Sequence, residues 1–395
     1  MGPGIITSMV GNDASGVAAY SVAGAEKGYS ILWILFFSGF SLAVTQEMAA
    51  RLGIVSGKGL SDLIRENFGI RIALFAMTVH VITCLATSIS EFAGIAASLQ
   101  LFGVSRYASI PVALILIWLL IVKGNYKIAE KVFLFLSLFY FSYIISVWFI
   151  KPDWGNVLKS TFIPQFEFNF EYTYLLIALV GTTVTPWMQY YLQSSVVDKG
   201  IKVAHYKYEK AEVYLGSFST CFFAFFIMVA SASTLFKEGI HVETAEQAAM
   251  ALKPLAGQYC FILFGLGFLN ASLLGATILP LASSYAACEF FGWESGLGKK
   301  LKDAPQFYMI FTASILVSGL IILIPDFPLI RVMIFSQSVN GILLPVILIL
   351  MLKLINNKRI MGNHVNNKTQ NLICGGLALF LISITVILLF LTFVK

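Results

Sequence analysis

One acidic side chain, Asp13, stands inside a long apolar stretch near the N-terminus, in the Gly- and Asn-containing segment of residues 11–16. Moving a carboxylate into hydrocarbon costs roughly 2.5–3.5 kcal/mol, so such a residue usually has a function. A ligand for a cation, or a partner for an amine, is the chemistry that we favour for Asp13. The alternative is a structural cap, since Asp is a preferred residue at the start of a helix.

A second polar interruption falls at residues 181–186, where Thr182, Thr183 and Thr185 precede Pro186. Proline removes a backbone donor and frees carbonyl groups one turn earlier, so hydroxyl and carbonyl oxygens become available together. Gln189 continues this polar face. A threonine can instead bond back to its own helix, and this remains open for each threonine taken alone.

Two further apolar stretches carry polar groups. Gln337 and Asn340 lie in the segment 336–341, where four of six side chains are polar, and hydrogen bonds between helices are an equal alternative for them. Ser88 and Glu91 lie in an earlier stretch. Glu91 is a second deep carboxylate, and we take this pair as candidates for a proton or charge relay.

The composition defines the environment of these residues. Of the 395 residues, 58% are hydrophobic and 12% are charged, whereas soluble domains carry roughly 25% charged residues. This excludes a soluble enzyme, a disordered protein and a nucleic-acid binder. No catalytic triad, metal-hydrolase motif or phosphate loop is present, so we expect no enzyme. The long continuous apolar runs predict an all-α integral membrane protein in the lipid bilayer.

The apolar runs predict about eleven transmembrane helices in a single transporter domain, 1–395. Their expected bounds are about 4–26, 30–53, 71–102, 107–123, 128–150, 173–198, 211–236, 257–291, 307–325, 328–354 and 370–394. With a cytoplasmic N-terminus, the cytoplasmic connections hold 18 of the 26 Lys and Arg residues. Because cytoplasmic loops carry excess Lys and Arg, we expect this orientation and an outer C-terminus in a plasma membrane.

The two interrupted helices are five spans apart, which is typical of secondary transporters built from two inverted halves. In such proteins the substrate binds at mid-membrane, where one helix of each half is unwound. The spacing predicts a LeuT-like 5+5 inverted repeat with broken helices 1 and 6. The first repeat would cover about 1–151, the second about 172–355, and an extra helix 11 about 370–394.

These residues resemble the NRAMP family of divalent-metal transporters. The segments 2–4, 28–33 and 49–57 are similar to the family's first two helices. The family's Asp-Pro-Gly-Asn motif falls on residues 13–16, and its Met-Pro-His-Asn motif falls on residues 185–188. Ser336 and Gln337, with Pro345 beyond them, resemble the tenth helix.

The resemblance implies a metal site with altered ligands. In the family, an Asp and an Asn of helix 1, a Met of helix 6 and a nearby backbone carbonyl bind the ion. Only the Asp remains here, as Asp13, while Gly16, Thr185 and Thr182 occupy the other three positions. Trp187 replaces the helix-six His.

The missing thioether predicts a change of ion. A soft ligand suits Mn²⁺ or Fe²⁺, whereas oxygen ligands suit Mg²⁺, which keeps much of its water. The expected site is therefore Asp13, Gly16, Thr182, Thr185, Gln189, Gln337 and Asn340 around a partly hydrated Mg²⁺, with Mn²⁺ as a second ion. This pattern is similar to that of the NRAMP-related magnesium transporters of prokaryotes. The ion would be the transported substrate, and we expect no cofactor. We expect the carrier to be a monomer.

Loss of the family's His and of one helix-three acid, now Ser88, predicts weak or absent proton coupling. A potential of 100 mV is worth ~4.6 kcal/mol for a divalent ion, enough for roughly a thousandfold accumulation. The alternative function is a carrier of a small organic solute, such as an amino acid or amine, because Asp13 could face an amine. A channel is less favoured, since nothing resembles a selectivity filter.

Overall fold

The protein is described by a computed structural model that covers residues 10–123 and 137–393. All regular elements in these ranges are helical. The N-terminal half contains a 3₁₀ turn at Val10–Asn12 and then α1 (Ala14–Lys27), α2 (Leu32–Ser56), α3 (Leu60–Phe68), α4 (Ile70–Gln100), α5 (Arg106–Val122), α6 (Phe141–Ile150) and α7 (Trp154–Phe162). A second 3₁₀ turn, Ser137–Tyr140, leads into α6.

The C-terminal half follows the same pattern of long helices and short connections. It contains α8 (Phe170–Thr183), α9 (Pro186–Asp198), α10 (Tyr206–Ser231), α11 (Ala245–Ala249), α12 (Lys253–Ala256), α13 (Cys260–Phe291), α14 (Pro305–Ile322), α15 (Leu329–Ile355), α16 (Lys358–Met361) and α17 (Lys368–Phe393). A π-helical turn, Ala232–Phe236, extends α10.

The prediction of an all-helical membrane protein is confirmed. Within the described residues, seven helices are long and apolar enough to cross a bilayer, namely α2, α4, α10, α13, α14, α15 and α17. Two shorter apolar helices, Arg106–Val122 and Leu138–Ile150, correspond to the fourth and fifth predicted spans. The first and sixth predicted spans are split: α1 follows the turn at Val10–Asn12, and α8 is followed by α9.

Some sequence predictions fall outside the described residues. These are the resemblance at residues 2–4, the beginning of the first and fifth spans, and the positions of Lys127, Lys131 and Lys395. The count of eleven spans and the inverted repeat therefore stay predictions at this point.

Two glycines bring α1 close to α4 and α13. A Cβ atom at Gly94 of α4 would collide with the Ala14 Cβ of α1 and the Ser272 Oγ of α13. A Cβ atom at Gly275 of α13 would collide with the Glu91 carboxyl of α4. Since only glycine leaves this room, these positions let the start of α1 lie directly against the polar face of α4.

Glycines also allow α8 and α15 to pack closely. A Cβ atom at Gly181 would overlap the Gln337 carbonyl and Gly341, and one at Gly341 would overlap the Ile177 carbonyl. The end of α8 therefore packs backbone to backbone on the polar segment of α15, which places the second interruption beside Gln337.

A buried ionic cluster holds the C-terminal half of α2. Arg51 Nε lies 2.9 Å from Glu47 Oε1, and its Nη atoms donate to the His364 carbonyl at 2.8 Å and to Asn366 Oδ1 at 2.5 Å. Gln370 Nε2 donates to Glu47 Oε2 at 2.9 Å. Glu47 and Arg51 thus connect α2 to the start of α17 and the segment before it. Their spacing in the sequence indicates only an i,i+4 contact within α2.

Candidate functional site

The first interruption is built around Asp13. Its backbone is extended, with φ −64° and ψ −180°, so the chain turns sharply between the 3₁₀ turn and α1. Asp13 Oδ1 accepts hydrogen bonds from the Gly16 backbone N–H at 2.7 Å and the Ser15 hydroxyl at 2.7 Å. The side chain is therefore a helix cap, and it is 4% exposed.

The second interruption separates α8 from α9. Val184 has φ −124° and ψ 80°, and Thr185 is extended with φ −83° and ψ 145°. Pro186 then begins α9, where its missing N–H would be unpaired in any case. Thr185 occupies the cap position without making a side-chain cap bond. Within the described residues its buried Oγ1 has no hydrogen-bond partner.

The two interruptions lie against each other. A Cβ atom at Gly16 would lie 3.1 Å from Thr182 Oγ1, 3.3 Å from Asp13 Oδ1 and 2.9 Å from the Gly11 carbonyl oxygen. Asp13, Gly16 and Thr182, three of the predicted site residues, therefore form one cluster. The absent side chain at Gly16 keeps open the narrow space between the carboxylate and the hydroxyl.

Thr183 has a structural role instead. Its Oγ1 donates back to the Leu179 carbonyl at 2.7 Å and lies 3.1 Å from the Tyr20 hydroxyl. It therefore follows the alternative in which a threonine bonds within its own helix. Its contact with Tyr20 also fixes α8 on α1, next to the Gly16 cluster.

Glu91 of α4 is part of the same cluster. Its carboxylate accepts hydrogen bonds from the Ala14 backbone N–H at 3.2 Å, the Ser15 backbone N–H at 3.4 Å and the Ser15 hydroxyl at 3.0 Å. The first amides of a helix favour a negative charge, so Glu91 completes the cap that Asp13 begins. Glu91, identified from the sequence as a second deep carboxylate, thus lies beside Asp13.

Gln337 and Asn340 of α15 join the cluster through Ser15. Gln337 Nε2 donates to Ser15 Oγ at 2.5 Å. Asn340 Nδ2 donates to Gln337 Oε1 at 3.0 Å and to Thr87 Oγ1 at 2.9 Å. The bonds to Ser15 and Thr87 are the interhelical hydrogen bonds that were the alternative for this segment. Asn340 Oδ1 remains buried without a partner in the described chain.

Gln189 and Ser88 are buried nearby but make none of these bonds. Both amide atoms of Gln189 and the Ser88 Oγ lack hydrogen-bond partners among the described residues. Gln189 is one turn beyond Thr185 on α9, so the two form a continuous polar edge that begins at the interruption. Ser88 is one turn from Glu91 on α4, and its hydroxyl forms no hydrogen bond with Glu91.

Two residues with ligand chemistry were missing from the sequence prediction. Asn12 Nδ2 donates to the Thr220 carbonyl at 3.2 Å, while its Oδ1 is buried and unpartnered in the described chain. The Met188 methyl carbon lies 2.9 Å from the position of a Cβ atom at Gly11. Asn12 could have been predicted, because it is adjacent to Asp13 in the sequence. The position of Met188 depends on how α9 is rotated after the interruption.

The donors around the interruptions are mostly oxygens. Within residues 10–123 and 137–393, no three His, Cys, Asp or Glu side chains converge in a way that could hold a metal ion. A cation there would meet the Asp13 carboxylate together with hydroxyl, amide and carbonyl oxygens. Such donors suit a hard ion that keeps part of its water.

A second polar region lies at the opposite end of α1. Here a cavity of about 450 Å³ is lined by Glu26, Glu171, His241, Glu243 and Arg331, among others. His241 Nδ1 lies 2.8 Å from Glu26 Oε1. The hydrogen bond to the Glu26 carboxylate raises the pKa of His241 above its ordinary value. With the cytoplasmic N-terminus that the charge pattern predicts, this region faces outward.

A helical multi-pass membrane protein in which two broken helices meet at a buried carboxylate has the architecture of a secondary transporter. The Nramp family model, described as natural resistance-associated macrophage protein-like, matches residues 4–391. The chain belongs to this family, and it is a transporter and not an enzyme.

Individual relatives agree with this placement. The chain is 24% identical over 405 residues to the divalent metal cation transporter MntH of Bacillus subtilis (strain 168), covering 100% of this chain and 92% of the relative. In fold it is similar to a manganese transporter of Eremococcus coleocola, with a TM-score of 0.76, 17% identity and coverage of 97% and 84%. It also resembles a nucleobase-cation-symport-1 family transporter in a closed conformation, with a TM-score of 0.58, 14% identity and coverage of 94% and 81%.

Proposed function

We propose that this chain is a secondary carrier that takes up divalent metal ions by alternating access. The observation that carries the proposal is the contact between the two interruptions, where Gly16 leaves a space between the Asp13 carboxylate and the Thr182 hydroxyl. The name of the Bacillus subtilis relative supports a divalent cation as cargo. The two transporters of similar fold support the predicted 5+5 repeat with an added helix 11.

We propose Mg²⁺ as the preferred ion, bound with part of its water. The proposed ligand region consists of Asp13, Gly16, Thr182, Thr185, Gln189, Gln337 and Asn340. Hydroxyl and amide oxygens at helix ends suit a hard cation, and Mg²⁺ in proteins is commonly held by one or two carboxylates plus water. The orphaned oxygens of Thr185, Gln189 and Asn340 are the natural partners for such water molecules.

Mn²⁺ is the second candidate, and one contact favours it. The Met188 methyl group reaches the first interruption beside Gly11, so a thioether side chain is close to the site even though Thr185 occupies the family's Met position. The solved Eremococcus coleocola relative is a manganese transporter. The transport assays must therefore compare the two ions.

We propose that uptake is driven mainly by the membrane potential, with weak or no proton coupling. Glu91 is the residue best placed to carry a proton, but it already accepts hydrogen bonds from two backbone amides of α1 and shares the Ser15 hydroxyl with Asp13. Ser88, the other candidate for coupling, has no titratable group.

We also propose the orientation that the charge bias predicts, with a cytoplasmic N-terminus, an outer C-terminus and a monomeric carrier in a prokaryotic plasma membrane. Single cysteines at the ends of α10 would test it. A membrane-impermeant thiol reagent added to intact cells should label a cysteine at Lys237 but not one at Lys202. The reverse pattern would overturn the orientation.

The central experiment separates the charge of Asp13 from its capping role. Asn is as good a helix cap as Asp, so Asp13→Asn should keep the bond to Gly16 N–H while removing the charge. Asp153→Asn is the matched control, because Asp153 caps α7 in the same way through Gly155 and Asn156. Both proteins are reconstituted in liposomes containing a divalent-cation dye, with an inside-negative potential.

We expect Asp13→Asn to weaken the apparent affinity for Mg²⁺ and Mn²⁺ at least roughly thirtyfold, the effect of losing ~2 kcal/mol of charge interaction. Asp153→Asn should transport like the unmodified protein, and both variants should unfold at similar temperatures. Normal transport by Asp13→Asn would refute the site. An amino-acid and amine panel tests the alternative of an organic solute, and acidification of the lumen in step with metal uptake would refute uncoupled transport.

A further inference from the structure

A long apolar groove runs along the outside of the protein between α2 and α10. Its volume is about 460 Å³, and its lining is almost entirely apolar. Phe36 and Phe40 form one wall, and Phe218 and Phe222 form the other. All four of these rings are at least one-third exposed. We call this feature the α2–α10 groove.

The floor of the α2–α10 groove is closed by a tight helix contact. A Cβ atom at Gly39 of α2 would lie 3.1 Å from Cys221 Sγ of α10, so the two helices touch behind the groove. The phenylalanine walls stand on either side of this contact. The result is a narrow channel open to the lipid, with a shape that suits one extended hydrocarbon chain.

Lysines continue the groove-lining face of α10. Tyr214, Ser217, Cys221 and Phe225 line the groove, and they follow one another at intervals of three or four residues along one face of the helix. Lys210 precedes Tyr214 by four residues, and therefore lies on the same face. Its Nζ is 5.7 Å from the centre of the Tyr214 ring.

A second lysine lies one turn before Lys210. Lys207 Nζ is 4.9 Å from the centre of the exposed Tyr208 ring. Two lysines, each beside a tyrosine, thus lie at the end of the apolar groove, an arrangement typical of the membrane–water boundary.

We propose that the α2–α10 groove binds an anionic phospholipid, with its phosphate at Lys207 and Lys210 and one acyl chain along the groove. The charge at the mouth selects the headgroup, and the apolar channel holds the chain. In the orientation proposed above, this end of α10 faces the cytoplasmic leaflet, which carries the anionic lipids. The proposal does not depend on which ion is transported.

The test is native mass spectrometry of the delipidated full-length protein, titrated with phosphatidylglycerol or phosphatidylcholine. Each lysine should strengthen binding of the anionic lipid roughly fivefold, so phosphatidylglycerol should bind about thirtyfold more tightly than phosphatidylcholine. The double variant Lys207→Glu/Lys210→Glu should lose this preference. Lys300→Glu/Lys302→Glu is the matched control, since it makes the same charge change at exposed lysines of another connection on the same side.

A groove-filling variant tests the acyl chain separately. Ala43 lines the groove, and Ala43→Phe should reduce binding of both lipids while leaving the headgroup preference in place. Ala43→Leu repeats the test with a smaller side chain should the larger one unfold the protein, which thermal denaturation reports. Unchanged lipid binding in the lysine variant, an equal loss in its control, or dimers in place of lipid adducts would each overturn the proposal.

Discussion

The space at Gly16 leads to a quantitative prediction for Gly16→Ala. The added methyl group would lie 2.9 Å from the Gly11 carbonyl oxygen and 3.1 Å from Thr182 Oγ1. The Thr182 hydroxyl can rotate away, but the Gly11 carbonyl belongs to the backbone of the 3₁₀ turn and must shift with it. Overpacking of this kind costs about 1–3 kcal/mol. Alanine recovers about 0.5–1 kcal/mol of helix propensity.

The net penalty is about 0.5–2 kcal/mol and falls at the proposed ion site. If the loaded site bears this cost in full, the apparent affinity for Mg²⁺ falls roughly 2- to 30-fold. The methyl group also takes space that a water molecule of the ion would use. Mg²⁺ gives up its water reluctantly, so Mg²⁺ should lose more affinity than Mn²⁺, and the Mg²⁺/Mn²⁺ preference should decrease.

The assay is the liposome uptake described above, measured over a range of concentrations of each ion. Gly375→Ala is the matched control, because a Cβ atom at this glycine of α17 would have no atom within 4 Å. The control should transport normally. Two results would contradict this prediction: folded Gly16→Ala retains its affinity for both ions, or its affinity for Mn²⁺ falls more than its affinity for Mg²⁺. Either result would show that this space is not a binding site for a hydrated ion.

Three further changes test the surroundings of the site. Glu91→Gln replaces the carboxylate that accepts hydrogen bonds from α1 by an amide. Thermal denaturation should show a loss of about 1–3 kcal/mol in the free energy of unfolding, and equal stability would contradict the capping role. Arg51→Lys cannot reproduce the forked contacts of the guanidinium with Glu47 and neighbouring carbonyls. Chemical denaturation should therefore show a loss of about 2–4 kcal/mol in the free energy of unfolding. A loss below about 0.5 kcal/mol would contradict a buried ionic cluster. Because Glu26 raises the pKa of His241, their contact should be complete below the ordinary His pKa of about 6.5 and should weaken as the pH rises through the raised value. Spin labels near these two residues should report that change by their distance distribution, and His241→Gln should abolish it; a pH dependence that survives the substitution would exclude the pair as its cause.

Much of the architecture follows from the sequence because its signals are local. The interruption at residues 11–16 contains its own cap, and the interruption at residues 181–186 contains a proline that starts a helix. Long apolar runs then fix the helices between them within a few residues, as in α15, predicted at 328–354 and observed at Leu329–Ile355. These features need no knowledge of which helices touch.

The position of Glu91 shows where local signals end. Its contact with Ala14 and Ser15 requires α4 to approach α1 closely, and this approach depends on Gly94, one turn further along α4. The spacing of Glu91 and Gly94 was visible in the sequence, but the same glycine could have faced any neighbouring helix. Met188 was hidden for a similar reason, since its direction depends on the rotation of α9 about the broken backbone.

The shared hydroxyl of Ser15 links the two carboxylates of the site. Ser15 Oγ lies 2.7 Å from Asp13 Oδ1 and 3.0 Å from Glu91 Oε1, and it accepts a hydrogen bond from Gln337 Nε2. A serine hydroxyl has a single proton, so it can donate to only one carboxylate at a time. In the proposed site, a cation bound to Asp13 would provide a positive partner for this carboxylate and leave the Ser15 proton for Glu91. Ion binding on α1 would then strengthen the contact with α4 and, through Gln337, with α15. Binding would thereby shift the conformational equilibrium of the carrier toward the state in which these helices are in contact.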